Sequence, residues 1–270
     1  MRIGLDIAQQ RMPFSEVIDR AQFAERLGFD GVWGFDHFQP MYGEGPGECF
    51  EGYTTLAALA TATTRVRLGL LVTGITYRPV SLLAAQAITV DHASNGRLEL
   101  AIGSAWFDKE HRELGFDYPP TGVRVDMLED HLQILRKLFT QDDVTFTGHH
   151  LKVEHATLRP RPVQDPLPIW VGASGEKRSL PMVAKYADAW HCFGGVKELS
   201  AKSALLDELC KREERDPSTV LRSASLSLEG SLDDVRRKVD QWRDAGFGYL
   251  IAGWPSGGRE TIEAFASPVL

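Results

Sequence analysis

Cysteine is scarce in this chain of 270 residues, and the three present, Cys49, Cys192 and Cys210, are odd in number, far apart and never in a Cys-x-x-Cys pair. That argues against a disulfide framework and against a cysteine zinc site, and the three read as ordinary thiols. Long apolar runs are missing too: no stretch approaches the ~20 residues that span a bilayer. The opening stretch MRIGLDIAQQ has neither the basic region nor the apolar core of a secretory signal, so a cytoplasmic protein is expected. Positive charge is outweighed, with 30 Lys and Arg against 37 Asp and Glu for a net charge of -7. Neutralising a nucleic-acid backbone needs a basic face, so no nucleic-acid partner is expected and any phosphate site must be local. No low-complexity linker divides the chain, and a 43% hydrophobic content is enough to bury a full core.

What is present is an alternation. Strand-like runs fall at 2–7, 31–35, 66–72, 97–102, 167–172, 188–193, 220–226 and 248–253. Between them lie amphipathic segments such as 16–27, 81–92, 127–139, 197–212 and 232–245, with apolar residues at three- and four-residue spacing. Gly28 and Gly246 stand where helix C-caps belong, and Asp216-Pro217-Ser218 opens a turn. Strands alternating with helices imply a parallel sheet, and eight such units in about 250 residues suit a TIM (β/α)8 barrel, with a doubly wound open sheet as the alternative. One stretch departs from the pattern: VTFTGHHLKVEHATL, 144–158, alternates polar and apolar residues on both sides of Gly148-His149 and predicts a β-hairpin inserted before the fifth barrel strand. Its three histidines, His149, His150 and His155, sit on a short hairpin without cysteine and read as solvent-exposed side chains, so no metal is assigned.

In a barrel the chemistry collects at the C-terminal ends of the strands. The segments there are GFDHFQP (34–40), VTGITYRP (72–79), GSAWFDKEH (103–111), GASGEKR (172–178) and FGG (193–195). Gly172, Ala173, Ser174 and Gly175 keep side chains small where a helix N-terminus would present unpaired N–H groups, which bind anions. Lys177 and Arg178 would then lie in the first helical turn, the wrong sign for the helix dipole unless an anion is near. The same residues also suit a plain tight turn with a serine cap. Barrels often hold phosphate on late-strand loops, and Phe193 with Gly194 and Gly195 could close such a site from the next strand.

The pieces GFDGVWGFDHFQP, RLGLLVTGITYRPVSLLAAQAITVDHASNGRLELAIGSAWFDKEH, FTGHHLKVEHATLRPRPVQDPLPIWVGASGEKR and YADAWH, in this order and spacing, resemble the luciferase-like monooxygenase superfamily, in particular the branch that uses the deazaflavin coenzyme F420. The resemblance covers nearly the whole chain and implies one luciferase-like TIM-barrel domain over 1–270 that binds the coenzyme at its C-terminal mouth. It implies a phosphate site on Gly172, Ala173, Ser174 and Gly175, a ring-facing stretch at Leu71, Val72 and Thr73 with a non-proline cis peptide between Leu71 and Val72, and coenzyme contacts from Ser104, Ala105 and Trp106. His37 matches the histidine of the family's DHF and is the expected acid/base group, since imidazole titrates near neutral pH. Asp36 would hold His37 or a backbone group in place.

Departures from the family narrow the substrate. F420-dependent glucose-6-phosphate dehydrogenases follow DHFQP with tryptophan where this chain has Met41, and carry an acidic residue where it has Trp106, so glucose-6-phosphate is not the expected substrate. Trp106, Tyr77, Phe38, Met41 and Phe193 would instead line the mouth with apolar and aromatic surface. His111 and Arg124 would either reach the coenzyme's side chain or sit in solvent. The expected function is hydride transfer between the deazaflavin C5 and an apolar small molecule, by a homodimer. The alternatives are an FMN-dependent monooxygenase and a non-catalytic flavin or deazaflavin carrier.

Overall fold

The structure, a computed structural model, describes residues 1–269. In chain order its elements are β1 (Arg2–Asp6), α1 (Phe14–Leu27), β2 (Gly31–Gly34), α2 (Gly52–Ala62), β3 (Arg67–Leu70), β4 (Thr73–Gly74), α3 (Val80–Ala93), β5 (Leu98–Gly103), α4 (Asp108–Leu114), α5 (Thr121–Thr140), β6 (Val144–Thr147), β7 (Lys152–Ala156), β8 (Ile169–Gly172), α6 (Ser179–Tyr186), β9 (Ala189–Cys192), α7 (Val196–Arg212), β10 (Leu221–Leu226), α8 (Leu232–Asp244), β11 (Tyr249–Gly253) and α9 (Gly258–Val269). The parallel order β3-β2-β1-β11-β10-β9-β8-β5 closes through pairing of β3 with β5, giving an eight-stranded barrel, and β4 continues the third strand after a break at Leu71 and Val72. The open-sheet alternative is thereby set aside. β6 and β7 form the separate antiparallel hairpin ahead of the fifth barrel strand, and His149, His150 and His155 are exposed on it. No helix among the described residues is long and apolar enough to cross a membrane.

Local signals explain the element ends. Gly28 closes α1 with φ 99°, a left-handed conformation that only glycine adopts at no cost, and its N–H caps the carbonyls of Ala24 and Glu25. Ser231 accepts the Asp234 N–H at the start of α8, and Asp216 accepts the Ser218 N–H before a short 3₁₀ turn at Pro217–Thr219.

Side chains alternate across each strand, so one set faces the helices and the other fills the barrel. The middle of the interior holds Trp33, Trp170 and Tyr249, with ring centroids 5.0 to 6.0 Å apart and the Trp33 indole N–H donating to the Tyr249 hydroxyl at 3.0 Å. Toward the N-terminal end, Glu99 accepts from the Trp170 indole at 2.6 Å and pairs with Arg2 and Arg67. This filled interior leaves room for a ligand at the C-terminal mouth.

Candidate active site at the barrel mouth

The mouth opens into a cavity of about 510 Å³. Each barrel segment that carries a sequence motif delivers residues to it. Beyond β2 the chain presents Phe35, Asp36 and His37. The break after β3 presents Leu71 and Val72, joined by a cis peptide, and the turn after β5 presents Ser104, Ala105 and Trp106. Gly172, Ala173 and Ser174 follow β8, and His191, Cys192 and Phe193 end β9. Two glycines shape the floor: a β-carbon on Gly103 would lie 2.7 Å from a Val72 methyl and one on Gly172 2.9 Å from both, so Val72 fits between β5 and β8 only because neither strand has a side chain there. Ala105 turns the chain at φ 59°, a backbone conformation that a β-carbon disfavours.

Two of the expected contact residues lie off the cavity. Thr73 is fully buried beneath it, its hydroxyl 2.9 Å from that of Tyr53, while Gly175 is exposed and its carbonyl accepts the N–H groups of Ser179 and Leu180. The helix after β8 begins at Ser179, so Lys177 and Arg178 occupy the turn before it and not its first turn. Arg178 is drawn aside there by Asp126 on α5. Among the described residues no protein acceptor reaches the backbone N–H groups of Ser174, Gly175, Glu176 and Lys177. These residues are exposed, and a run of N–H groups left without protein acceptors is a feature that can receive an anion. Phe38 also departs from expectation: it packs behind the mouth against Tyr77 and Phe116, with centroids 5.3 and 5.0 Å away. His111 and Arg124 are neither solvent-facing nor in the cavity. His111 stacks on Tyr77 at 4.5 Å between Thr76 and the Phe107 carbonyl, and Arg124 donates to the Ser104 carbonyl at 3.0 Å.

Asp36 is buried, with both oxygens bound by Arg78 at 2.7 Å, and Oδ2 also accepts the Gly74 N–H at 3.0 Å. It therefore fixes the segment after β4 and leaves His37 to another partner. That partner is Glu110, buried completely on α4. Its Oε2 lies 3.0 Å from His37 Nδ1 and accepts the Tyr77 hydroxyl at 2.6 Å, while Oε1 accepts the N–H groups of Phe38 and Gln39 at 2.7 and 2.8 Å. Burial alone would raise the carboxyl's pKa, but the hydrogen bonds from His37, Tyr77 and Phe38 outweigh it and hold Glu110 below the usual range. Burial and the carboxylate together push the Tyr77 phenol upward, so it remains an O–H donor. His37 Nε2 has no protein partner among the described residues.

Sequence reasoning missed Glu110 and His191. Glu110 sits in FDKEHREL, which reads as a solvated charge run, and its partners are more than 30 positions away in sequence. His191 carried a signal, since alternation along β9 points it inward next to the mouth. It is fully buried between Ser223, 3.0 Å from Nδ1, and Ser225, 3.3 Å from Nε2, and burial drives its pKa down to about 3.

The match to known proteins agrees with this geometry: residues 1–245 fit the sequence profile of the luciferase-like monooxygenase family. The chain belongs to that family. Among luciferase-like relatives, an F420-dependent glucose-6-phosphate dehydrogenase of Amycolatopsis mediterranei is 32% identical over 72% of this chain and 58% of its own length. An enzyme of the same name from Intrasporangium calvum is 31% identical over 86% of this chain and 71% of its own length. The chain thus spans a little over half of the first relative and under three quarters of the second. An F420-dependent secondary alcohol dehydrogenase, solved in complex with an F420-acetone adduct, superposes with a TM-score of 0.86 over 98% of this chain and 97% of that one, at 19% identity, which is a likeness of fold.

Proposed function

We propose that the protein is an oxidoreductase that binds coenzyme F420 at the barrel mouth, and that a hydride passes between the deazaflavin C5 and a small apolar substrate while His37 handles the accompanying proton. The observation that carries this reading is that one cavity has His37, an imidazole with a free ring nitrogen, in its wall and meets at Ser174 the start of a turn of unpaired N–H groups that runs on to Lys177 at its edge. The residues suit the coenzyme. An anionic phosphate fits the turn from Ser174 to Lys177, and a planar ring fits the surface that Val72 makes between Gly103 and Gly172. Relatives named for F420 support the same coenzyme.

When bound, the deazaflavin supplies or takes up the hydride. The chain's own residues bind, orient and move the proton: if an alcohol is oxidised, its carbon gives up the hydride and its hydroxyl proton passes to the lone pair of His37 Nε2, and in carbonyl reduction the doubly protonated ring returns that proton from Nε2 to the oxygen. Substrate choice is read from the rim. Trp106, Phe193 and Tyr42 are 64%, 68% and 61% exposed around the opening, and neither Lys nor Arg lines the cavity among the described residues. A sugar phosphate would find no cation there, whereas an apolar or planar molecule finds aromatic surface. The reading includes a homodimer, which suits α2, an eleven-residue helix without a charged side chain, and a cytoplasmic setting, which suits three free thiols.

The test is a tryptophan-fluorescence titration with F420 and FMN, oxidised and reduced, followed by turnover with a panel of ketones, aldehydes, enones and secondary alcohols. Light scattering on the same preparation is expected to give a dimer. F420 is expected to bind at micromolar concentration or tighter, and His37→Ala to retain binding while losing about 100-fold or more in turnover. A preference for reduced FMN overturns the coenzyme assignment, and undiminished turnover by His37→Ala overturns the proton role.

A further inference from the structure

Resting on the reading of His37 as the proton-transfer group, we propose that Glu110 is a positioning residue that fixes the tautomer of His37, keeping the proton on Nδ1 so that Nε2 is the atom offered to the substrate. The geometry leaves little freedom. Glu110 is 0% exposed, and its two oxygens receive four hydrogen bonds. Backbone N–H groups occupy Oε1, and neither can be anything but a donor. Tyr77 has a single hydroxyl proton, and it is committed to Oε2 at 2.6 Å, so the 3.4 Å approach of Tyr77 to His37 Nδ1 is not a donation to the ring. An ionised carboxylate only accepts, so the atom 3.0 Å from Oε2, His37 Nδ1, carries hydrogen. In the neutral ring Nε2 then holds the lone pair. It is the nitrogen on the opposite edge of an imidazole that lines the cavity.

The supports around this contact are rigid. His37 is flanked edge-to-face by Tyr77, Trp106 and Phe107, with centroids 5.7 to 6.2 Å away. The backbone immediately after His37 is tied to the same carboxylate by Phe38 and Gln39, so one side chain sets both the position of the DHF loop and the ring orientation within it. The anionic state that this requires agrees with the depressed titration of Glu110. An acidic side chain that orients an imidazole from behind, without itself reacting, is the physical arrangement of a Ser-His-Asp triad, reached here on α4 of a barrel.

Glu110→Gln tests this without removing the anchor. The amide oxygen can still accept from Phe38 and Gln39, which turns the NH₂ group toward Tyr77 and His37. An NH₂ donor facing Nδ1 makes that nitrogen an acceptor and drives the ring proton to Nε2. The readout is ¹⁵N NMR of the imidazoles of the coenzyme-free protein, with His37 assigned by the His37→Ala variant. The wild type is expected to show the Nδ1–H form and Glu110→Gln the Nε2–H form, while Tyr77→Phe, which leaves the carboxylate against Nδ1, keeps the wild-type form. F420 affinity is expected to stay within about threefold in Glu110→Gln, and oxidation of secondary alcohols, which needs the Nε2 lone pair, to fall about 100-fold or more at unchanged KM. A wild-type ring already protonated on Nε2, a Glu110→Gln ring that does not change, or a Tyr77→Phe ring that does, overturns the assignment. Because the tautomer is read without coenzyme or substrate, a failure here is distinct from a failure of the F420 reading, which the titration alone decides.

Discussion

At the scale of single residues, the pair most sensitive to substitution is Asp36 and Arg78, which meet between two loops at the barrel mouth and are both buried. Two charges out of water are tolerable only when each satisfies the other, and here the match is a two-pronged one at 2.7 Å, with Arg78 also lying over the Tyr53 ring at 4.9 Å and 3.3 Å from Glu51. Removing one partner strands the other. Arg78→Met is therefore expected to cost about 3 to 5 kcal/mol, since Asp36 stays buried and loses its countercharge. Adding Asp36→Asn, which keeps an acceptor for the Gly74 N–H, is expected to recover part of that. Urea denaturation of the single and double variants measures both, and a loss below about 1 kcal/mol in Arg78→Met would show that the pair is not what holds this loop.

At the scale of elements, the contact of three segments around Val72 ties the fold to the site. Gly103 ends β5 and Gly172 ends β8, and each leaves the volume into which Val72 packs from the break between β3 and β4. Gly172→Ala would put a methyl group 2.9 Å from both Val72 γ-carbons, so Val72 must move out of the cavity floor. F420 affinity is expected to fall about tenfold or more, and Gly172→Ala combined with Val72→Ala to restore most of it, because the second change removes the obstructing methyls. Equal affinities for wild type and Gly172→Ala in a fluorescence titration would refute the role given to this surface. Much of this level was legible beforehand. The eight barrel strands are short apolar runs bounded by glycine and charge, and their ends fall within about two residues of the expected ones except where Leu71 and Val72 interrupt the third. For two of the helices not anticipated from the sequence, the reason is physical. α2 carries GYTTLAALATA, so apolar and small on every side that it has no periodic face to detect, and α4 is seven residues, mostly charged. The site divides in the same way. Gly172 to Ser174 and His37 follow strand ends directly, whereas Glu110 joins His37 across 73 positions through the docking of α4, which no local pattern encodes.

For the whole molecule, the barrel interior and its helical shell enclose titratable groups that bind the stability of the fold to pH. Burial holds His191 near a pKa of about 3 and His131, on α5, near about 4, both below the ordinary value of 6.5. The folded protein thus keeps both rings neutral where the unfolded chain would protonate them. The unfolded state binds more protons below about pH 6.5, so stability falls as pH drops from there, and the loss continues until the folded-state values are reached. Asp6, partly buried at the end of β1, acts in the opposite sense: desolvation outweighs its hydrogen bond from Ala8 and raises it to about 6, so the folded state gains stability as pH falls from about 6 toward 4. Wild-type profiles sum these opposed slopes, and a difference between two proteins isolates one. His131 is the suitable group, because its Nδ1 donates to the Met127 carbonyl at 2.7 Å and its buried Nε2 has no hydrogen-bond partner among the described residues. His131→Leu replaces the ring with an apolar side chain of similar bulk and removes the unpartnered nitrogen. The variant is expected to be the more stable protein throughout, and its advantage to be about 2 kcal/mol greater near pH 5 than near pH 7.5, as the wild-type ring's proton affinity is lost on folding. Urea denaturation of both proteins across that range supplies the comparison. Parallel curves would mean that His131 takes up its proton as readily in the folded protein as in the unfolded chain.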